Sequence, residues 1–207
     1  MSIYFNNKKL SVPRISHIYK GNILVYGPIY PIGTVLLEKS VAGSYSIELK
    51  PGLYEIYCIG GGGGGSNGPG GSGAGILLQV HIQNTATYTS IVGAHGAGAG
   101  AYVRNNNGFP GGASSLNGNN ISITTNGGAG RAGRRNGGWG GTTGTLEYNI
   151  TIPYKVINRT TNGVENALSF LTNNSSGPGA GGIAQPNDKG AGYAGKPGYI
   201  KISYAGI

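Results

Sequence analysis

The residues with the most to offer chemically lie in one short run, "RAGRRNGGWGG", where Arg131, Arg134 and Arg135 precede Trp139, the chain's one tryptophan. Guanidinium groups pair with phosphate or carboxylate, and an indole face stacks on a sugar or a base. On a glycine-rich loop the run predicts a contact surface for an anionic or carbohydrate ligand. The same residues also fit a solubilising basic loop with Trp139 as a packing anchor, and their spacing leaves both readings open. The Asn-rich tip Asn105, Asn106 and Asn107 is a second, weaker candidate. Lys and Arg total 15 against 6 Asp and Glu, a formal net charge of +9. That charge favours anionic partners such as nucleic acid, teichoic acid or lipopolysaccharide phosphate, but it also suits a protein that is simply soluble.

Other chemistry finds little support. With only 6 acids, a pair of carboxylates for hydrolysis is hard to assemble, and Glu48, Glu55 and Glu147 fall in alternating patterns that point them to solvent. His17, His81 and His95 are scattered without metal-ligand spacing, so no metal site is expected. Cys58, the single cysteine, sits inside an apolar strand pattern and reads as a small buried hydrophobe. "GAGYAG", Gly190 to Gly195, matches the dinucleotide fingerprint letter for letter, but Lys196-Pro197-Gly198 and a terminal strand follow it where a helix is required. No P-loop and no nucleic-acid-binding signature is present. The reading is therefore of a non-enzyme without cofactor or metal, with nucleic acid not the expected partner.

The elements that must carry these loops are strands. Tyr supplies 14 aromatic residues against three Phe, and the apolar runs are short, rich in Ile, Val, Thr and Tyr, and separated by turn residues. "SIYF" and "NNKK", then "ISHIYKGNILVYG" with Lys20-Gly21-Asn22 as a hairpin turn, form a small N-terminal β module over residues 1–30. A glycine-rich domain over 31–207 follows. In "SYSIEL" the residues Tyr45, Ile47 and Leu49 share one face, and Pro51-Gly52 makes the next turn. "TLEYNITIPYKVI" reads as one strand-like stretch. "VENALSFLTNN", from Val164, is the only weak helix candidate. The N-terminus lacks a secretory signal, and no run reaches the length of a membrane span, so neither secretion by that route nor membrane insertion is expected.

The glycines between the strands are phased. Gly62, Gly65, Gly68 and Gly71 fall every third residue, as do Gly93 and Gly96, then Gly127, Gly130 and Gly133, then Gly192, Gly195 and Gly198. Three residues is the period of the polyproline II helix, which has no internal hydrogen bonds. Several such helices side by side can bond one another's backbones if their inward positions lack side chains. The fold expected is thus all-β: a small N-terminal β module, then a β-sandwich-like domain with packed polyglycine II segments. Ordering so much glycine is costly, and only shared interstrand bonds on a strand framework offset it.

Taken together, "PGLYEIYCIGGGGGG", "GGSGAGILLQVHI", "TYTSIVGAHGAGAG", "GGASSLNGNNISITTNGGAG" and "GAGYAGKPGYIKISY" resemble the glycine-rich domain near the ends of many bacteriophage tail and fibre proteins, over roughly residues 34 to 207. The strand running into poly-Gly, "IVGAHGAGAG" and the closing "GKPGYIKISY" are the more specific parts. "ISHIYKGNILVYG" is similar to a short β motif that begins domains in phage tail proteins. Stacked polyglycine II helices are also the architecture of adhesins at the tips of T-even-type long tail fibres, although here the glycine segments are fewer and alternate with strands. The resemblance implies a non-enzymatic virion protein of a tail fibre or tail tip, made in the host cytoplasm. It would partner other virion proteins and a bacterial surface glycan or anionic polymer, and assemble as a homo-oligomer, most simply a trimer. The alternative is a purely structural capsid or baseplate decoration without receptor binding. An ice-binding face would need regular Thr rows that the sequence lacks, and a glycan depolymerase would need more acids.

Overall fold

The computed structural model describes residues 3–5, 8–10, 18–20, 23–26, 29–66, 68–99, 107–131, 141–160, 179–182 and 192–206. The helix candidate from Val164 lies outside these residues, and no α-helix occurs among them. Near the N-terminus, β1 (Ile3–Phe5) pairs with β2 (Lys8–Leu10), and β3 (Ile18–Lys20) with β4 (Ile23–Tyr26). The Lys20↔Ile23 register leaves Gly21 and Asn22 between the strands, where the sequence predicts the turn.

Ten further strands form two five-stranded antiparallel sheets. They are β5 (Val35–Lys39), β6 (Gly43–Leu49), β7 (Gly52–Ile59), β8 (Gly75–Ile82), β9 (Ala86–Val92), β10 (Ser114–Gly118), β11 (Ile121–Thr125), β12 (Leu146–Ile150), β13 (Tyr154–Arg159) and β14 (Tyr199–Gly206). One sheet has the order β12-β11-β10-β9-β6 and the other β13-β8-β7-β14-β5. They face each other through β7 against β10 and β11, and β14 against β9. Alternation decides which side chains meet: Tyr54, Ile56 and Cys58 of β7 and Ile200, Ile202 and Tyr204 of β14 turn inward onto Leu116, Ile121 and Ile123. Each such Ile or Leu contributes about 1.5–3 kcal/mol by leaving water. Tyr45, Ile47 and Leu49 do share the inner face of β6.

"TLEYNITIPYKVI" is not one strand. It breaks at 151–153, so that β12 forms the edge of one sheet and β13 the edge of the other. Pro153 has no N–H for a continuous ladder; its carbonyl accepts from His81 at 2.9 Å while Ile152 is buried at the corner.

At one end of the sandwich most strands run on as glycine-rich backbone. Helix I (60–66) continues β7, helix II (68–74) leads into β8, III (93–99) continues β9, and IV (107–113) leads into β10. Helix V (126–131) continues β11, VI (141–145) leads into β12 and VIII (192–198) into β14, while VII is the short segment 179–182. Helix I is central. The N–H groups of Gly60, Gly63 and Ser66 donate to II, those of Gly61 and Gly64 to IV, and those of Gly62 and Gly65 to VIII, at 2.8–3.0 Å. Its carbonyls rotate likewise: Gly61 and Gly64 accept from V, Gly62 and Gly65 from III, and Gly63 from VII. Three residues therefore complete one turn.

The six neighbours close a hexagon around helix I in the order II–V–IV–III–VIII–VII. Gly71 donates to Ala129, Gly111 to Gly128, Gly112 to Ala94, Gly195 to Gly96, Lys196 to Ala180 and Gly70 to Gly182. Helices II, IV and VIII run antiparallel to I, and III, V and VII run parallel to it; helix VI lies outside the ring, in the groove between II and V. Among the described lattice glycines only Gly179 has a positive φ, 71°. Glycine is needed here for its missing Cβ: a Cβ on Gly61, Gly62, Gly63 or Gly64 would land on the carbonyl of Ala94, Ala180, Ala129 or Ala97 respectively. Because helix I has neighbours on every side, it is glycine at every position from 60 to 65. Ring helices have a side turned away from helix I and carry residues such as Ser72, Phe109 and Lys196 there, Ser72 against helix VI. In helices II, IV and VIII the N–H phase that points out of the ring is occupied by Pro69, Pro110 and Pro197, which have no N–H to leave unpaired.

Candidate binding end of the glycine lattice

The registers bring one end of every helix to a common level, about two turns of helix I from the sandwich. At that level Ser66 donates to Gly68, Ala99 to Gly65, Arg131 to Gly64, Gly108 to Arg131, Gly141 to Pro69, Gly70 to Gly182 and Gly192 to Ala99. Residues 100–106, 132–140 and 183–191 therefore join ends that all lie at the face of the lattice remote from the sheets. Arg134, Arg135, Trp139, Asn105, Asn106 and Gly133 belong to these connections and lie outside the described residues. The described members, Arg131 and Asn107, sit on adjacent helices: Gly108, next to Asn107, donates to the Arg131 carbonyl at 2.8 Å. The two Arg- and Asn-rich runs singled out in the sequence are thus anchored side by side.

Arg131 itself is buried, with 6% of its surface exposed, so it is not an open contact residue of the kind its loop-like sequence predicts. Its main chain is tied on both sides, N–H to Gly64 at 3.0 Å and carbonyl to Gly108. Its guanidinium crosses Gly68, where a Cβ would come within 2.6 Å of Nε, and Nε has no hydrogen-bond partner among the described residues. Asn107 is exposed.

Of the phased glycines, Gly62, Gly71, Gly127, Gly130, Gly192 and Gly195 each face a neighbouring carbonyl that a Cβ would strike; Gly68 faces Arg131, and Gly198 faces Ser114 and the Ile59 carbonyl. Gly65 donates to Tyr193 and accepts from Ala99. Residues 62–71 are not one helix, however. The chain reverses between Ser66 and Gly68, so Gly62 and Gly65 belong to helix I while Gly68 and Gly71 belong to the antiparallel helix II.

The remaining titratable groups do not converge. Cys58 lies fully buried against Thr125, Sγ to Oγ1 3.4 Å, and burial pushes its thiol up to about 12. No group of three or more His, Cys, Asp or Glu able to hold a metal occurs among the described residues. No helix among them is long and apolar enough to cross a membrane. The sequence reading passed over the exposed aromatics of the lattice flank, Phe109 at 61% and Tyr193 at 54% exposure. Their signal was the non-glycine phase of each repeat, which the hexagon turns outward. No protein-family model matches the chain, and no curated protein matches it.

Proposed function

We propose that this chain is a non-enzymatic component of a bacteriophage tail fibre or tail tip, whose glycine lattice presents its far-end connections to a bacterial surface glycan or anionic polymer. The observation that carries the reading is the common level of the helix ends: the described ends that flank 100–106, 132–140 and 183–191, the first two of which contain the Arg- and Asn-rich runs, lie at one face, remote from the sandwich. A stem that gathers connections at its tip suits attachment, because binding residues concentrate on loops held by a scaffold. In this reading Arg131 anchors its connection from within the lattice. Arg134 and Arg135 steer an anionic polymer and Trp139 stacks on sugar, with Asn105, Asn106 and Asn107 alongside. The protein works in the virion with other virion proteins and as a homotrimer, with no cofactor.

The test is attachment of labelled protein to host cells across a salt series. Changing Arg134 and Arg135 to Ser is expected to slow attachment and flatten its salt dependence, since steering acts through a screened field. Trp139→Ala is expected to weaken retention at every salt concentration. Folded variants that bind host cells as the parent does would exclude this end as the receptor site, and a parent that binds no susceptible strain would instead favour a decoration protein of the capsid or baseplate.

A further inference from the structure

Two of the described lattice residues, Arg131 and Lys196, carry a full charge, and only Arg131 is buried. Its side chain occupies the groove between helices II and V. One turn nearer the sandwich that groove holds helix VI, where the Thr142 carbonyl accepts from Ala129 at 2.9 Å and a Cβ on Gly71 would strike it. At Gly68, one turn further along helix II, a Cβ would instead meet Arg131 Nε. The guanidinium thus continues the line of helix VI toward the far end, with a donor where the lattice otherwise has an acceptor. Nε is buried without a hydrogen-bond partner. Gly68 is buried too, and its N–H, in the phase that bonds helix V from Gly71 and Ala74, has no partner among the described residues.

A guanidinium cannot shed its charge in a protein, and burying it unpaired is costly. The described residues offer it no counter-charge. Glu38, Glu48, Glu55 and Glu147 all stand in strands of the sandwich. Thr145, the last lattice residue before Glu147, is level with Asn126, about 15 Å short of Arg131 at the polyproline rise and already beyond a Debye length of about 8–10 Å.

We propose that Arg131 and the Gly68 N–H form a binding site for a single phosphate group at the far end of the groove between helices II and V. The donors decide the ligand. One edge of the guanidinium spans two oxygens of an oxyanion, and a carboxylate has no more to give, whereas phosphate keeps further oxygens for the Gly68 N–H. A phosphate held there ties helix II to helix V at the level where their described registers end. Two sources carry this chemistry, a free phosphate ion and a phosphodiester unit of a host polymer; only the second rests on the far end being the binding end.

The test uses the full chain labelled with nitrogen-15 and follows the Arg131 Nε–H signal, assigned through its own side chain, as inorganic phosphate replaces chloride at constant ionic strength. A saturable shift of that signal and of the Gly68 amide is expected. Arg131→Lys keeps the charge but loses the fork, and is expected to bind about tenfold or more weakly. The parent titration decides the matter alone should the variant fail to fold. No saturable shift at millimolar phosphate, the same shift with chloride, or equal binding by a folded Arg131→Lys variant would overturn the inference. So would a shift that appears only in Asp188→Asn, which would give the place to the chain's own carboxylate. A glycerol phosphate oligomer that binds more tightly than the free ion would assign the site to a host polymer; equal or weaker binding would assign it to the ion. Host-cell attachment is scored separately, so a parent that binds phosphate but no susceptible strain keeps the site and loses the attachment role.

Discussion

Gly63→Ala tests the hexagon at its centre. The new methyl would lie on the Ala129 carbonyl, with the Ala129 carbon at 2.5 Å and the Gly128 carbonyl at 2.8 Å, none of which is the yielding end of a side chain. Relief requires helix V to retreat from helix I. The two bonds between them, Gly128 to Gly61 at 2.8 Å and Arg131 to Gly64 at 3.0 Å, would then be lost. A buried backbone group left unsatisfied costs about 1–3 kcal/mol, and alanine returns about 0.4–1 kcal/mol by stiffening the unfolded chain. The expected net loss is therefore about 3 kcal/mol, a large share of a stability of about 5–15 kcal/mol for a domain. Urea unfolding of Gly63→Ala should be read beside Ala97→Gly, which changes chain entropy at an exposed ring position and is expected to cost about 0.5–1 kcal/mol. If the two variants lose stability equally, close backbone packing around helix I is not what demands glycine there.

Amide exchange should divide the lattice by phase: the N–H groups of 60–66 are expected to exchange slowly and those of Ala94, His95, Ala97 and Gly98 fast, although they belong to the same ordered body, as nitrogen-15 exchange spectra would register. Pro110→Ala is expected to cost about 0.4–1 kcal/mol in urea, through the unfolded chain, because no hydrogen bond depends on that position. Cys58 contributes a pH dependence. Burial raises its thiol from 9.0 to about 12, so between those values the unfolded chain sheds a proton the folded one keeps, and stability falls as pH rises. Cys58→Ala is expected to flatten the loss of unfolding free energy between pH 9 and pH 12 by up to about 1.4 kcal/mol per pH unit; part of the remaining slope belongs to Tyr54, whose phenol burial raises from 10.0 to about 12.

Much of the framework was legible because strand alternation and the three-residue glycine period are local patterns. Tyr45, Ile47 and Leu49 announce the inner face of β6, and Lys20-Gly21-Asn22 marks the junction between the paired strands β3 and β4. What local pattern does not carry is pairing. Gly62 to Gly71 keeps perfect phase through a reversal of direction, since a period says nothing about which neighbour accepts each bond. The distinction between central and peripheral helices was nevertheless present in the sequence: an unbroken run from Gly60 to Gly65 means neighbours on all sides, whereas Gly-Gly-Ser or Pro-Gly-Gly means an open one. Proline reports the same geometry, standing where an outward N–H would otherwise be wasted. Arg131 was misjudged for a related reason. Its loop-like surroundings of glycine suggested exposure, but glycine here marks the places where other backbone comes closest.

The threefold rotation of the central helix also restricts how this chain can change in length. Inserting or deleting one residue within a ring helix turns every later N–H by a third of a revolution, toward a neighbour with no matching carbonyl. Only steps of three preserve the phase, and these displace the helix end by about 9 Å from the common face. The connections 100–106, 132–140 and 183–191 lie beyond the described registers, and no bond of the described hexagon depends on their length. Natural variation in length should therefore collect at the far end of the lattice, and a library of grafted segments placed there can be of any length without retuning the hexagon beneath.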